Sequence, residues 1–256
     1  MNTEYKYIFW TGGWDSTYRI VQLSRMDIII QPIYVIDPSR GSIEYEQKAM
    51  EEIIHELYDH QETKAKILPV MQINLSDIPR NEDVSSAYAK VKKTVRIGSQ
   101  YEWLGWIALQ YPGIEIGIEK PSGEFSGCIT AIEMYGKFKR EDDTLVVDKK
   151  ASSQDINTLF GNLTFPIADI TETEMLENIR GGGYEDVMKR IWFCHSPAGS
   201  EPCGMCRPCQ QKMECNMEWL LPEQGQERYK IYSKIKDVFG EKIAGLASRV
   251  IRRIIV

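Results

Sequence analysis

An α/β protein built on a mostly parallel sheet is expected here, on three grounds. Short apolar runs alternate with segments of helical periodicity, and the first apolar run ends in a Gly-Gly turn that enters a helix. The chain has 256 residues with 43% hydrophobic content, enough to bury one full core with at most a small appendage. Such alternation puts crossover helices on both faces of a sheet and gathers ligands outside the carboxyl ends of its strands.

Taken in order, residues 6–10 read as the first strand and 15–25 as the helix behind it. Residues 28–36 form a second strand ending at Asp37, and 44–58 carry Met50, Ile53, Ile54 and Leu57 at helical spacing. A third strand is expected over 67–75. Residues 77–98 look polar and irregular, with Lys90, Lys92, Lys93 and Arg96 close together. A buried helix over 101–109 and a fourth strand over 114–119 follow. Beyond them come a helix over 126–139, an exposed loop over 140–155, and helical stretches at 174–179 and 184–192 around Gly181-Gly182-Gly183. Three helices close the chain, at 210–220, 227–239 and 241–255. The last is amphipathic and basic, and reads as a docked terminal helix with a solvated charged face. This organisation divides the chain into an α/β domain, residues 1–190, that contains the Gly-Gly turn, and a cysteine-rich and helical region, residues 191–256.

The turn after the first strand, Thr11-Gly12-Gly13-Trp14-Asp15-Ser16-Thr17, has the composition of a phosphate-binding loop. Paired glycines let the backbone approach an oxyanion, and the first N–H groups of a helix turn unpaired donors and a positive dipole end toward it. Ser16 and Thr17 add hydroxyls. The loop lacks both the Lys-Ser/Thr ending of a Walker motif and the third glycine of a dinucleotide fingerprint, so a pyrophosphate-holding role fits best. The plainer alternative is a strand-turn-helix corner with Asp15 or Ser16 as helix cap.

Near the other end, Cys194, Cys203, Cys206 and Cys209 are separated by eight, two and two residues. Overlapping Cys-x-x-Cys steps, helped by Gly204, let thiolates converge on one ion, and four of them leave no open position, which makes the site structural. Spacing also leaves room for His195 or Cys215 as a substitute ligand, and for an iron–sulfur cluster in place of zinc. Disulfides are disfavoured because Cys128 and Cys215 stand isolated and no secretory signal is present.

A net charge of −6 and a pI near 5.3 argue against non-specific nucleic-acid binding. No apolar run approaches the roughly 20 residues of a membrane span, so a cytoplasmic protein with no membrane partner is expected.

The loop resembles the PP-loop, Ser-Gly-Gly-x-Asp-Ser, of the N-type ATP pyrophosphatases, with Thr11 at the first serine. Together, the loop and the C-terminal cysteine knuckle resemble the 7-cyano-7-deazaguanine synthase family. Pro166-Ile167 with Thr171-Glu172-Thr173-Glu174, and Phe125-Ser126-Gly127 preceded by Glu124, extend the likeness over most of the chain. The resemblance implies an adenine-nucleotide α-hydrolase-like Rossmann sandwich with a zinc-bound helical tail, often dimeric. It also implies Mg-ATP-dependent adenylation of the carboxylate of 7-carboxy-7-deazaguanine, with release of pyrophosphate. Ammonia then gives an amide, and a second ATP-dependent round gives the nitrile. Carried over residue by residue, Asp15 and Ser16 are catalytic; Thr11, Gly12, Gly13, Trp14, Asp15, Ser16 and Thr17 hold ATP and Mg²⁺; and Glu124, Phe125, Ser126 and Gly127 meet the carboxylate substrate. Asp37, at the carboxyl end of the second strand, is a further candidate for a hydrogen bond to the nucleotide, the plainer alternative being a strand terminator. Cys194, Cys203, Cys206 and Cys209 hold Zn²⁺. Lys92, Lys93 and Arg96 are candidate phosphate neutralisers. The family's Gly-Arg-Asn run is here Val95-Arg96-Ile97-Gly98-Ser99-Gln100, and its Tyr-Pro-Asp-Cys-Arg continuation is Cys128-Ile129-Thr130-Ala131-Ile132-Glu133. Similarly divergent relatives occur in bacterial antiviral operons, which adds a protein amine as an alternative acceptor. A tRNA-modifying or nucleotide-sensing PP-loop protein is a further alternative.

Overall fold

The computed structural model describes residues 4–120 and 127–254. The expected α/β fold with a mostly parallel sheet is present. β1 (Tyr5–Phe9) leads through the Gly-Gly turn into α1 (Trp14–Ser24), and β2 (Ile29–Ile36) is followed by α2 (Ile43–Asp59). Two short strands come next, β3 (Lys66–Ile67) and β4 (Met71–Asn74), then α3 (Glu82–Val91), α4 (Gln100–Gln110) and β5 (Ile114–Ile116). After α5 (Gly127–Tyr135) the chain forms β6 (Phe138–Glu141) and β7 (Thr144–Val147), α6 (Gln154–Phe160) and β8 (Leu163–Phe165). α7 (Glu172–Gly182), α8 (Glu185–Met188), α9 (Arg207–Glu214), α10 (Glu223–Phe239) and α11 (Glu241–Ile254) complete it. None of the described helices is long and apolar enough to cross a membrane.

The sheet order is β3-β2-β1-β5-β8-β7-β6, with β4 also pairing β2. β1 pairs in parallel with β2 on one side and β5 on the other, while β7 runs antiparallel to both β6 and β8. The chain therefore builds outward from β1 in one direction and then returns to add β5 on its other side. That reversal opens a crevice at the carboxyl ends of β1 and β5, the place where open α/β sheets bind ligands.

Side-chain alternation along the strands explains the two layers. Ile8, Trp10, Ile30 and Tyr34 belong to one buried cluster with α1, α2, α7 and α8. Phe9, Ile33, Val35 and Ile116 point the other way, into a cluster with α3, α4, α5 and α6. Cys194, Cys203, Cys209, Tyr232, Ala244 and Ile251 join the first cluster, so the C-terminal region shares a core with α1 and α2.

Several elements differ from the sequence expectation. The third strand is split at residues 68–70, where Pro69 has no N–H to give the ladder. The stretch expected to be irregular contains α3, N-capped by the Asn81 side chain and burying Val84, Ala87, Tyr88 and Val91. β5 stops at Ile116 rather than running to 119. α5 ends at Tyr135 rather than 139, and the expected exposed loop over 140–155 holds the β6–β7 hairpin, turned at Asp142 with φ 50°, and the start of α6. Near the C-terminus, α8 is a single turn, α9 begins three residues early, and α10 begins four residues early.

Candidate active site and metal centre

The turn after β1 lies at the sheet's reversal point. Gly12 adopts φ +66°, a left-handed conformation that favours glycine, and Gly13 is the extended N-cap of α1 with no side-chain cap bond. Asp15 and Ser16 therefore sit within the first turn of α1, not at its cap. The leading N–H groups of α1 carry no side-chain acceptor and keep their anion-binding character.

Three contacts fix this loop. The Trp192 N–H donates to the Gly12 carbonyl at 2.8 Å. Because a trans peptide sets C=O and N–H on opposite sides, the Gly13 N–H faces away from the 192 backbone. The Trp10 indole donates to Thr17 Oγ1 at 3.0 Å, so Thr17, fully buried, braces the loop from beneath. From the β5 side, Gly117 lies so close that a Cβ there would come within 2.7 Å of Ser16 Cα, and backbone atoms cannot yield as a side-chain tip can. A buried bidentate pair, Arg19 to Glu115 at 2.7 and 2.9 Å, ties α1 to β5. These two elements flank the crevice. Breaking such a pair by removing one partner costs about 3–5 kcal/mol.

Facing the loop is a charged cluster that sequence reasoning did not find. Lys212 of α9 pairs with Glu172 in the first turn of α7, and its ammonium lies 4.7 Å from the Trp14 ring centroid. Gln211 donates to Glu119 Oε1 at 2.9 Å and to Glu172 Oε2 at 2.8 Å. Glu119 Oε2 is buried with no hydrogen-bond partner among the described residues. Burial pushes the Asp15 carboxyl up to about 6, with Lys212 opposing and Glu172 reinforcing the shift. Burial, together with Asp15 and Glu172, pushes Glu119 up to about 8, with Lys212 and the Gln211 hydrogen bond opposing.

A carboxyl whose native pKa lies above its unfolded value binds its proton more tightly when folded, so stability falls as pH rises between the two values. The window runs from the ordinary 3.8 to about 6 for Asp15, and from 4.5 to about 8 for Glu119. Nucleotide-free protein is expected to melt at a lower temperature at pH 8 than at pH 6, and Glu119→Gln to shrink the difference. A pH-independent midpoint in thermal melts would contradict this.

Asp37 ends its strand in an Asx turn, its Oδ1 accepting from Ser39 N at 2.9 Å and Ser39 Oγ at 2.7 Å. Lys92, Lys93 and Arg96 are exposed. Glu124, Phe125 and Ser126 lie outside the described residues. Gly127 opens α5 at φ +88° and donates its N–H to the Arg96 carbonyl at 2.9 Å.

The four expected cysteines converge. Cys194, Cys203, Cys206 and Cys209 place their sulfurs within 4.8 Å of one another, with Cys206 3.8 Å from Cys194 and 3.4 Å from Cys209. Tetrahedral thiolates at about 2.3 Å from zinc stand about 3.8 Å apart, so the set can hold a metal ion such as zinc. Backbone N–H groups of Cys203, Met205 and Cys206 donate to the Cys194 and Cys203 sulfurs at 3.2–3.3 Å, as suits anionic sulfur. His195 and Cys215 are not in the convergent set, and all six cysteines are free of disulfides. Among the described residues, no group of carboxylates converges as these thiolates do.

No protein-family model matches the chain, and no curated protein matches it.

The two sites are physically joined. Trp192 stacks on Tyr45 with centroids 4.3 Å apart, its indole donates to the Cys194 carbonyl, and its backbone holds Gly12. Cys206 caps α9, whose next turns deliver Gln211 and Lys212 to the loop.

Proposed function

We propose that this protein is an ATP-dependent carboxylate–amine ligase of the PP-loop type, which makes an acyl adenylate and releases pyrophosphate. The observation that carries this reading is a Gly-Gly turn and uncapped helix start at the sheet's reversal point, faced by buried carboxylates. A carboxylate is a poor electrophile because its leaving group would be an oxide. Attack of a carboxylate oxygen on the α-phosphorus of ATP expels pyrophosphate and gives a mixed anhydride. An amine then attacks the acyl carbon, forming the amide and expelling AMP, with the amine proton passing to solvent.

The residues suit the charge that develops. The N–H groups at the start of α1 and the hydroxyls of Thr11 and Ser16 face the departing pyrophosphate, where preorganised donors contribute most. Mg²⁺, when bound, neutralises phosphate charge and takes mostly phosphate and water oxygens, with Asp15 as its protein partner. A divalent cation beside Asp15 would favour the ionised form of its carboxyl, which burial disfavours in the nucleotide-free protein. Cys194, Cys203, Cys206 and Cys209 hold Zn²⁺ as a structural ion.

The resemblance to 7-cyano-7-deazaguanine synthases supports 7-carboxy-7-deazaguanine, or a close analogue, as the carboxylate and ammonia as the first amine to test. A protein amine is the alternative acceptor. Zinc-replete protein incubated with Mg-ATP, 7-carboxy-7-deazaguanine and ammonia is expected to release pyrophosphate and AMP with the amide or nitrile, read by mass spectrometry. Substrate-independent pyrophosphate release would instead favour nucleotide sensing, and tRNA-dependent release a modification enzyme.

A further inference from the structure

Three cations are buried among the described residues: Arg19, Lys212 and Arg228. Arg19 is committed to Glu115 by two hydrogen bonds, and Arg228 donates to the carbonyls of Cys203 and Pro202. Lys212 differs. Its one ion-pair partner among the described residues is Glu172, which already accepts from Gln211, and its flexible stem ends over Trp14, the residue that opens α1 after the Gly-Gly turn. A triphosphate entering this crevice brings several negative charges toward three carboxyls. It needs a cation that can change partners without unfolding its surroundings, and a lysine ammonium is a compact charge with rotatable donors.

We infer that Lys212 is a phosphate-binding residue of the nucleotide site, exchanging Glu172 for a phosphate oxygen when the triphosphate binds. This assignment rests on the ATP reading. It also gives the cysteine centre a second task, since Cys206 stands at the N-cap of α9, which carries Lys212 six residues on.

The test uses metal-replete full-length protein and a non-hydrolysable probe, magnesium-bound α,β-methylene-ATP, titrated calorimetrically. Lys212→Met alone leaves Glu172 buried without its ion partner, so the double variant Lys212→Met/Glu172→Gln serves as the folded comparison, verified by zinc content and melting. It is expected to bind the analogue at least about tenfold more weakly, as loss of a charge-assisted hydrogen bond would give. Lys212→Arg should stay within about threefold of wild type. Glu172→Gln, which releases the ammonium, should bind at least as tightly as wild type. A folded double variant with wild-type affinity would overturn the assignment alone. Absence of analogue binding to the wild type would overturn the ATP reading with it.

Discussion

Replacement of Cys206 by serine is expected to remove the metal and unfold the chain near physiological temperature. Structural zinc contributes roughly 10–16 kcal/mol of apparent binding free energy at neutral pH, as much as or more than the roughly 5–15 kcal/mol by which a typical domain is stable. Cys206 joins the cysteine set to α9. Its sulfur lies 3.8 and 3.4 Å from those of Cys194 and Cys209, and the residue stands at the N-cap position of α9 without a side-chain cap bond, so the metal is what the serine variant loses there. Cys194, Cys203 and Cys209 belong to the cluster that also packs α1 and α2. Circular-dichroism melts alongside zinc analysis check this. A serine variant melting within a few degrees of wild type would show that the thiols are inert buried groups.

Asp15→Asn is expected to lower the rate of substrate-dependent pyrophosphate release by roughly 10²–10³-fold, the scale of losing one charge-stabilising group. Its melting temperature at pH 8 should be unchanged or higher. The reason is that Asp15 is not a helix cap: Gly13 is, and the Asp15 carboxyl faces Glu172 and Glu119 in surroundings that disfavour its charge. Removing that charge relieves the native state, while on the proposed ATP reading it deprives the nucleotide's metal of a ligand. Ser16→Ala should also lose activity with little change in melting. If activity and stability fell together in both variants, the turn would be a scaffold corner rather than a catalytic loop.

The parts of the site written in consecutive residues were legible from the sequence. Residues 11–17 carry the glycine pair, the helix start and the hydroxyls within one turn of chain, and the cysteine spacing encodes its own convergence. Lys212 was not legible. It stands in a polar helix segment where a lysine usually faces water, and its partner Glu172 is 40 residues away in sequence. Glu119 likewise looked like a strand terminus and becomes a site residue only because Gln211, 92 residues on, reaches it. In the fold, the β6–β7 hairpin was hidden by composition. Lys139, Arg140 and Glu141 are exposed, so the strand shows no apolar alternation. α3 did leave a signal, an Asn81 cap followed by apolar residues at positions 84, 87, 88 and 91, which the nearby lysines masked.

The two ends of the sheet bear on how copies of this chain behave toward one another. One end is β6, whose Lys139, Arg140 and Glu141 make a charged border; the other is the short β3 and β4, parted around Pro69. Charged side chains, brevity and a missing amide donor are the features that keep a sheet rim from templating a foreign strand. The hydrophobic, nearly continuous strands β1, β2 and β5, which would be the most adhesive segments of the chain if exposed, lie in the middle. Both rims of the sheet therefore disfavour self-association by strand addition, and the helical surfaces are left as the less protected route.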